Sequence, residues 1–425
     1  MRTYALLFAC AVCGTAETKT LTLKQALDLA LEQNPDVLVA RLDQQKARDQ
    51  VLIAKDAFVP KITGGSGLAW TVGYPTTVDG NPPSIFQART DMSIFDRSQN
   101  YKISQAKEGL RGAGIDVTRR QEEAAYRVAS LFLDAEQAAH SLESARKQGD
   151  SLARVKELMD ARVAEGRELP LESKKAHLNV LRARDTVERL AVNLINAETA
   201  LAQVLGMGPD DRVRAAQEER RDVAVPVSED ASIEEALEHS PELRRLESDM
   251  QAKTLEVKSY RAARLPKVSV IAQDNIFAKY NYSAFAPSTF HRNNPELGAA
   301  ITVPILMGRA AQAYASDAEA DMAKIRVEVA RTRSRISADL RRAYQQVKSA
   351  EASRELARAD LDVTREELNV DLAQYEEGRL PLARVEAMRA TENEKFLVYY
   401  VAQQTAERAR LNVLRLTGTL VAALK

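Results

Sequence analysis

Four histidines and two cysteines are the residues this 425-residue chain offers for metal binding or nucleophilic catalysis, apart from its carboxylates. His140, His177, His239 and His291 lie far apart, in what read as different elements, so no His/Cys/carboxylate cluster has metal-ligand spacing. No glycine-rich loop is built to cradle a phosphate, and no serine sits on a nucleophile elbow. The sequence therefore predicts no catalytic, cofactor or metal site, and the expectation is a protein that is not an enzyme. The 60 basic and 60 acidic residues cancel, and no basic stripe stands out, so nucleic acid is not an expected partner. With so little chemistry in single residues, function must come from the elements.

Both cysteines, Cys10 and Cys13, lie in MRTYALLFACAVCGTAETKT. Arg2, the apolar run from Tyr4 to Val12 and the small residues Gly14-Thr15-Ala16 read as a signal peptide, residues 1–16, with cleavage after Ala16. Leu7-Phe8-Ala9-Cys10 also resembles a lipoprotein cleavage box, with Phe8 departing from it, which would make Cys10 a lipidation site. No run of apolar residues is long enough for a transmembrane helix, which leaves a soluble protein or a membrane β-barrel.

The composition, rich in Ala, Leu, Glu, Arg, Lys and Gln, is that of long helices. The chain is also written twice. ALEQNPDVLVARLDQQKARDQVLIAKDAFVPKI (30–62) aligns without a gap with ALEHSPELRRLESDMQAKTLEVKSYRAARLPKV (236–268). Glu165-Gly166-Arg167 returns as Glu377-Gly378-Arg379, Leu169-Pro170-Leu171 as Leu380-Pro381-Leu382, and Gly206 as Gly418. The expected domains are a first repeat at 17–206, a linking equatorial segment at 207–232 and a second repeat at 233–425. Each repeat reads as a short helix opened by Asn34-Pro35 or Ser240-Pro241, two strands, a very long helix (about 99–165 or 309–377), a Gly-Pro turn and a return helix (about 171–205 or 382–417). Val128, Leu131, Ala135, Ala138 and Leu142 form one seam of alternating three and four spacing; Leu340, Ala343, Val347, Ala350, Ala357, Leu361 and Thr364 form another.

After Pro60 and Pro266 the period changes from that of a helix to that of a strand. Phe86, Ala88, Thr90, Met92 and Ile94 alternate with Gln87, Arg89, Asp91 and Ser93. Ile62, Leu68, Trp70, Val72 and Tyr74 share a face, as do Leu297, Ala299, Ile301, Val303 and Ile305. Val268, Val270, Ala272 and Ile276 share another, with Asp274 among them. An apolar face opposite a polar one over about ten residues fits a membrane barrel strand and fits a soluble sheet equally. Four strands cannot close a barrel when the smallest uses about eight. Strands in a membrane must then be pooled, and three copies would supply a barrel of about twelve. A helix of nearly seventy residues rises roughly 100 Å, and a short helix stacked on a return helix would match it.

These features resemble the outer-membrane efflux proteins of the TolC type. The resemblance is carried by Asn34-Pro35, the Pro60 and Pro266 joints, MSIFDRSQN (92–100), TVPILMGR (302–309) with Pro304, and YEEGRLPL (375–382). It implies a mainly α fold with a small membrane β part. In a homotrimer, long coiled-coil hairpins would form a periplasmic tunnel, and four strands per chain would contribute to a trimeric barrel of about twelve strands. It implies the outer membrane of a Gram-negative bacterium, a barrel in contact with outer-membrane lipid, and passive export from an inner-membrane transporter through a periplasmic adaptor. It places Gly166, Arg167, Glu168, Leu169, Pro170, Gly378, Arg379, Leu380 and Pro381 at a periplasmic tip facing the adaptor.

Glu172, Tyr375, Arg384 and Glu386 would lie at the channel entrance. Where some relatives carry an aspartate ring this chain has Arg384 and Ala387. Arg384 would repel cations or pair with Glu172 or Glu386, and Glu172 could bond Tyr375 across helices. The first turn has one more residue before its proline than the second, so the two tips differ. Loops 75–85 and 281–296 would lie at the outer mouth. The rival readings are a soluble or surface-attached trimeric coiled-coil structural protein, which would need no membrane, and an adhesin with a helical stalk, which would lack the duplicated hairpin.

Overall fold

The computed structural model describes residues 18–67, 83–216, 224, 226, 228–277, 291–305 and 308–424. The segment expected to be a signal peptide, with Cys10, the residues Leu68, Trp70, Val72 and Tyr74 expected to form a strand, and most of both expected outer loops lie outside the described residues. The first copy of the repeat comprises α1 (Leu23–Gln33), α2 (Pro35–Lys55), a 3-10 turn (Asp56–Phe58), β2 (Lys61–Gly67), β3 (Ser84–Phe95), α3 (Arg97–Ala164) and α4 (Pro170–Val204). The second comprises α5 (Glu229–His239), α6 (Pro241–Ala262), β5 (Lys267–Phe277), β6 (Asn293–Thr302), α7 (Ala310–Glu376) and α8 (Leu382–Thr417). Two short strands, β1 (Thr18–Leu21) and β4 (Arg212–Ala215), and a closing helix, α9 (Leu420–Leu424), complete the chain.

Punctuation explains the helix ends. Asn34 ends α1 and starts α2: its Oδ1 accepts the N–H groups of Asp36 (2.9 Å) and Val37 (3.3 Å), and Pro35 occupies the first helical position. Its Nδ2 donates to the Val204 carbonyl at 2.7 Å, one of the free acceptors at the end of α4. Each hairpin helix stops at a glycine with φ between 71° and 77°, at Gly166, Gly206, Gly378 and Gly418. At all four the glycine N–H bonds a carbonyl three residues back, and the next N–H bonds one five back. This is the Schellman cap, which needs a left-handed residue that only glycine adopts without strain.

The chain divides into two compact units. The first holds residues up to Ala40, Val117–Pro241 and Arg333–Lys425; the second holds Arg41–Asp116 and Glu242–Thr332. Helices α2, α3 and α7 contribute to both. The core of the first unit gathers Leu27 and Ala30 from α1, Val128, Phe132 and Leu133 from α3, Leu201 and Leu205 at the end of α4, Val213 from β4, and Leu411, Leu414 and Leu420. Phe132 is the largest fully buried side chain described; burying a residue of this size is worth about 1.5–3 kcal/mol. The seams read from spacing are buried in part, with Leu131 and Ala138 half-buried. Val128, Ala135 and Leu142 are covered in α3, and every named position of the α7 seam from Leu340 to Thr364 is covered too.

Some elements of this unit were not read from the sequence. Segment 207–232, expected to be a linker, carries β4, which pairs in parallel with β1 from Thr18↔Arg212 to Leu21↔Ala215. Helices α1 and α5 precede the Asn34 and Ser240 breaks. The start of α1 had a readable signal, because Thr22 and Gln25 form a capping box, each side chain accepting the other's backbone N–H at 3.1 Å.

In the second unit the four long strands form one antiparallel sheet in the order β2-β3-β5-β6. Proline marks where the chain turns from helix into strand in each copy: Pro60 precedes Lys61 of β2, Pro266 precedes Lys267 of β5, and Val59 before Pro60 is extended (φ −99°, ψ 132°). Pro304 lies between the end of β6 and α7, so it is a strand-to-helix joint, the reverse of the other two.

Candidate functional site: the sheet face and the hairpin tips

Strand register decides what each sheet face presents. Ile62 opposes Thr90, Phe86 opposes Ile276, Met92 opposes Val270, Val268 opposes Ile301 and Ala272 opposes Leu297. Alternation then puts Ile62, Phe86, Met92, Val268, Val270, Leu297 and Ile301 on one continuous face. Several of these are bare: Ile62 is 80% exposed, Leu297 82% and Ile301 70%. The opposite face carries Thr63, Gln87, Arg89, Asp91, Gln273, Asn275 and Glu296, with Gln273 donating to Glu296. Asp274 lies on the apolar face, opposite Ala88 and Pro295, and its Oδ1 is buried without a hydrogen-bond partner among the described residues. The outer edges of β2 and β6 carry no further strand among the described residues.

Polar contacts lock the rim where this sheet meets its helices. Asp96, at the end of β3, accepts the Gln99 N–H at 3.0 Å and pairs with Lys267 of β5 at 3.1 Å. Burial pushes its carboxyl upward, but the Gln99 N–H and the Lys267 ammonium outweigh burial and hold it below the ordinary aspartate value. Ser98 donates to the Ser259 carbonyl at 2.9 Å, and the Gln99 amide donates to the Ala54 carbonyl at 2.6 Å. Lys267, Ser259 and Ala54 were not legible as partners in the sequence, because those bonds join elements far apart along the chain; only the Asp96–Gln99 contact is local, three residues apart.

The expected tip residues occupy two turns of the first unit. Gly166 (φ 71°) and Gly378 (φ 72°) stand in open space. Arg167 pairs with Glu165 at 3.0 Å and Arg379 with Glu377 at 3.1 Å, so the duplicated turns keep the same ion pair. The extra residue changes the helix starts. Leu169 caps α4 and Pro170 is its first residue, whereas Pro381 itself is the cap of α8. Leu169 is exposed, Leu380 is half-buried, and Glu168 approaches Arg162 at 3.8 Å.

The four entrance residues do not form one cluster. Within the chain Arg384 lies 3.4 Å from Asp371 of α7, an ion contact without a hydrogen bond to that oxygen, and not against Glu172 or Glu386. Glu386 is buried, 7% exposed; it accepts from Arg389 at 2.9 Å and from the Ser151 hydroxyl of α3. Glu172 is held by Lys175 at 2.8 Å, and no bond joins it to Tyr375 among the described residues. Helical spacing shows the Glu172–Lys175 and Glu386–Arg389 pairs, each three residues apart on one helix, but not the Ser151 and Asp371 contacts, which come from other helices.

The histidines do other work. His140 packs its ring on Tyr400 with centroids 4.4 Å apart, and His239 Nδ1 donates to the Glu235 carbonyl at 3.1 Å. Among the described residues no group of His, Cys, Asp or Glu is placed to hold a metal ion, and no helix is long and apolar enough to cross a membrane.

A chain doubled on itself, with long helical hairpins and a small sheet apolar and bare on one face, defines a class of membrane-associated proteins. The chain belongs to the outer membrane efflux protein family, whose sequence profile matches residues 26–207 and 232–424. It is thus a transport protein of the outer membrane. Among solved structures it is similar to CusC, whose crystal structures concern folding and transmembrane channel formation: 16% identity over 96% of this chain and 95% of that one, TM-score 0.74. The Campylobacter jejuni CmeC outer membrane channel matches over 94% of this chain and 86% of its own at 15% identity, TM-score 0.74. The Vibrio cholerae outer membrane protein VceC matches over 93% and 96% at 15% identity, TM-score 0.71. At these identities the likeness is one of fold. No curated protein matches the sequence.

Proposed function

We propose that the protein is the outer-membrane exit channel of a tripartite efflux or type I secretion system, and that it performs no chemistry of its own. Three copies would pool their strands, β6 of one beside β2 of the next, into a barrel of about twelve strands. The long helices would continue it as a tunnel roughly 100 Å long. Substrates would pass through it from an inner-membrane transporter and a periplasmic adaptor to the exterior. The single observation that carries this reading is the continuous bare apolar face of a sheet whose two outer edges are unpaired. In water that face exposes apolar area, and in lipid the edges leave backbone groups unsatisfied; ring closure in a bilayer removes both penalties.

The duplicated turns would serve as the periplasmic tip. Exposed Leu169 and Leu171, with Arg167 and Arg379, would offer the adaptor apolar contact ringed by charge. The Arg384–Asp371 pair would hold the second hairpin near the entrance.

Introduced cysteines test the closure. A Cβ at Gly65 of β2 or Gly298 of β6 meets nothing, and both positions lie on the polar face. A Gly65→Cys/Gly298→Cys chain treated with a bis-maleimide should give covalent trimers in the outer-membrane fraction, and the parent chain none. A monomer that stays in the aqueous fraction without detergent refutes the channel.

A further inference from the structure

At the rim of the sheet a cavity of about 490 Å³ opens between the end of α6 and the start of α7. This volume falls within the range of small-molecule sites, about 300–1,000 Å³. Its polar lining is Tyr260, Arg261 and Arg264 on one side and Gln312, Ser316 and Glu319 on the other. We propose that this cavity binds the phosphoethanolamine headgroup of a membrane lipid. The inference rests on the reading of the sheet as membrane-embedded.

Position is the first observation. Arg264 stands two residues before Pro266, where the chain passes into β5, and Gln312 follows shortly after β6 ends. Along the chain, exposed Leu265 separates Arg264 from β5, and exposed Val303 and Ile305 fall between β6 and α7. The cavity thus lies at the helix ends from which the chain enters and leaves the sheet. The Tyr260 ring stacks on Tyr314, centroids 5.4 Å apart and planes 21° from parallel, where aromatic girdles mark the edge of the hydrocarbon.

Charge is the second observation, and it selects the headgroup. Arg261 already pairs with Glu319. Arg264 is exposed and has no hydrogen bond or ion pair among the described residues, so one guanidinium is free for an anion. Guanidinium is suited to phosphate, to which it can present two parallel N–H groups. Glu319 sets the counterpart. A headgroup with only negative charge would meet this carboxylate, whereas a primary ammonium beside the phosphate can hydrogen-bond it. The quaternary ammonium of choline has no N–H to offer. A phosphodiester on Arg264 and an ammonium on Glu319 therefore fit the lining.

The test uses the full-length protein, purified in detergent, stripped of lipid and exposed to equal amounts of phosphatidylethanolamine, phosphatidylglycerol and phosphatidylcholine, with retained lipid read by native mass spectrometry. The wild type should retain phosphatidylethanolamine over both others. Arg264→Gln should lower that retention about threefold to tenfold. Glu319→Gln should keep total retention and erase the preference over phosphatidylglycerol. Millimolar free phosphoethanolamine should leave the lipid in place; complete displacement would overturn a lipid site in favour of a soluble ligand. Equal retention of all three lipids by the wild type, or unchanged retention in both variants, overturns the proposal. A protein that enters bilayers without headgroup preference sinks this inference alone, whereas one that does not enter bilayers at all sinks the membrane reading beneath it.

Discussion

The two copies of the repeat have nearly the same backbone and different surroundings. Their hairpin helices span 68 and 35 residues in the first copy and 67 and 36 in the second. Both return helices end in a left-handed glycine with the same two capping bonds. Yet a Cβ added at Gly206 would stand 2.6 Å from the Gln33 carbonyl oxygen, whereas one at Gly418 would meet only Pro241 Cδ at 3.7 Å. What duplication preserved is backbone punctuation; how tightly each stop is packed has diverged. Position in the repeat therefore does not measure what a residue contributes.

The largest effect should come from breaking that pair of stops. Gly206→Ala adds left-handed strain of about 1–2 kcal/mol and a backbone clash of about 1–3 kcal/mol more. Gly418→Ala adds the strain alone. Thermal unfolding followed by helical circular dichroism should show the first variant far below the second. Equal losses would mean that the two ends are packed alike.

A helix start tests the same punctuation. Asn34 caps α2 through two N–H groups, ties down the Val204 carbonyl, and is 3% exposed. Asn34→Ala should destabilise by about 2 kcal/mol, because a cap is lost and the half-buried Val204 carbonyl is left without its donor. Denaturant titration would show the loss; an unchanged midpoint would mean that Asn34 holds neither helix end.

These contrasts mark how far the sequence could be read. Gly166, Gly206, Gly378, Gly418 and the prolines just ahead of β2 and β5 were legible, because each residue type permits or forbids a local backbone shape whatever surrounds it. The sheet faces were legible too: the alternation from Phe86 to Ile94 is long enough to be unambiguous. Strands β1 and β4 were not, since four residues carry too little pattern and their pairing joins the two ends of the first repeat. Asn34 was readable as a cap but not as the tether of Val204. Spacing could not single out the partner of Arg384, because Asp371 reaches it from across a turn and no periodicity ranks it above Glu386.

The smallest expected effect compares two covered carboxylates with opposite responses to pH. Asp96 is held below its ordinary value by the Gln99 N–H and Lys267 despite its burial. Glu122 of α3 is pushed above its ordinary value by burial, which the N–H groups of Val421 and Leu420 offset only in part. A depressed folded pKa gives Asp96 a stabilising contribution that is present above the ordinary aspartate value, about 3.9, and lost as pH falls through the lower folded value. A raised pKa gives Glu122 a contribution present below the ordinary glutamate value, about 4.3, and lost as pH rises through the higher folded value. Asp96→Asn should therefore lower stability at neutral pH, with the deficit shrinking as the solution is acidified. Glu122→Gln, whose amide oxygen still accepts the Val421 N–H, should equal or exceed the parent at neutral pH and lose that advantage below pH about 4. Unfolding midpoints measured from neutral to acid pH should thus diverge from the parent in opposite directions. Parallel curves would show that neither carboxylate senses its surroundings as the packing requires.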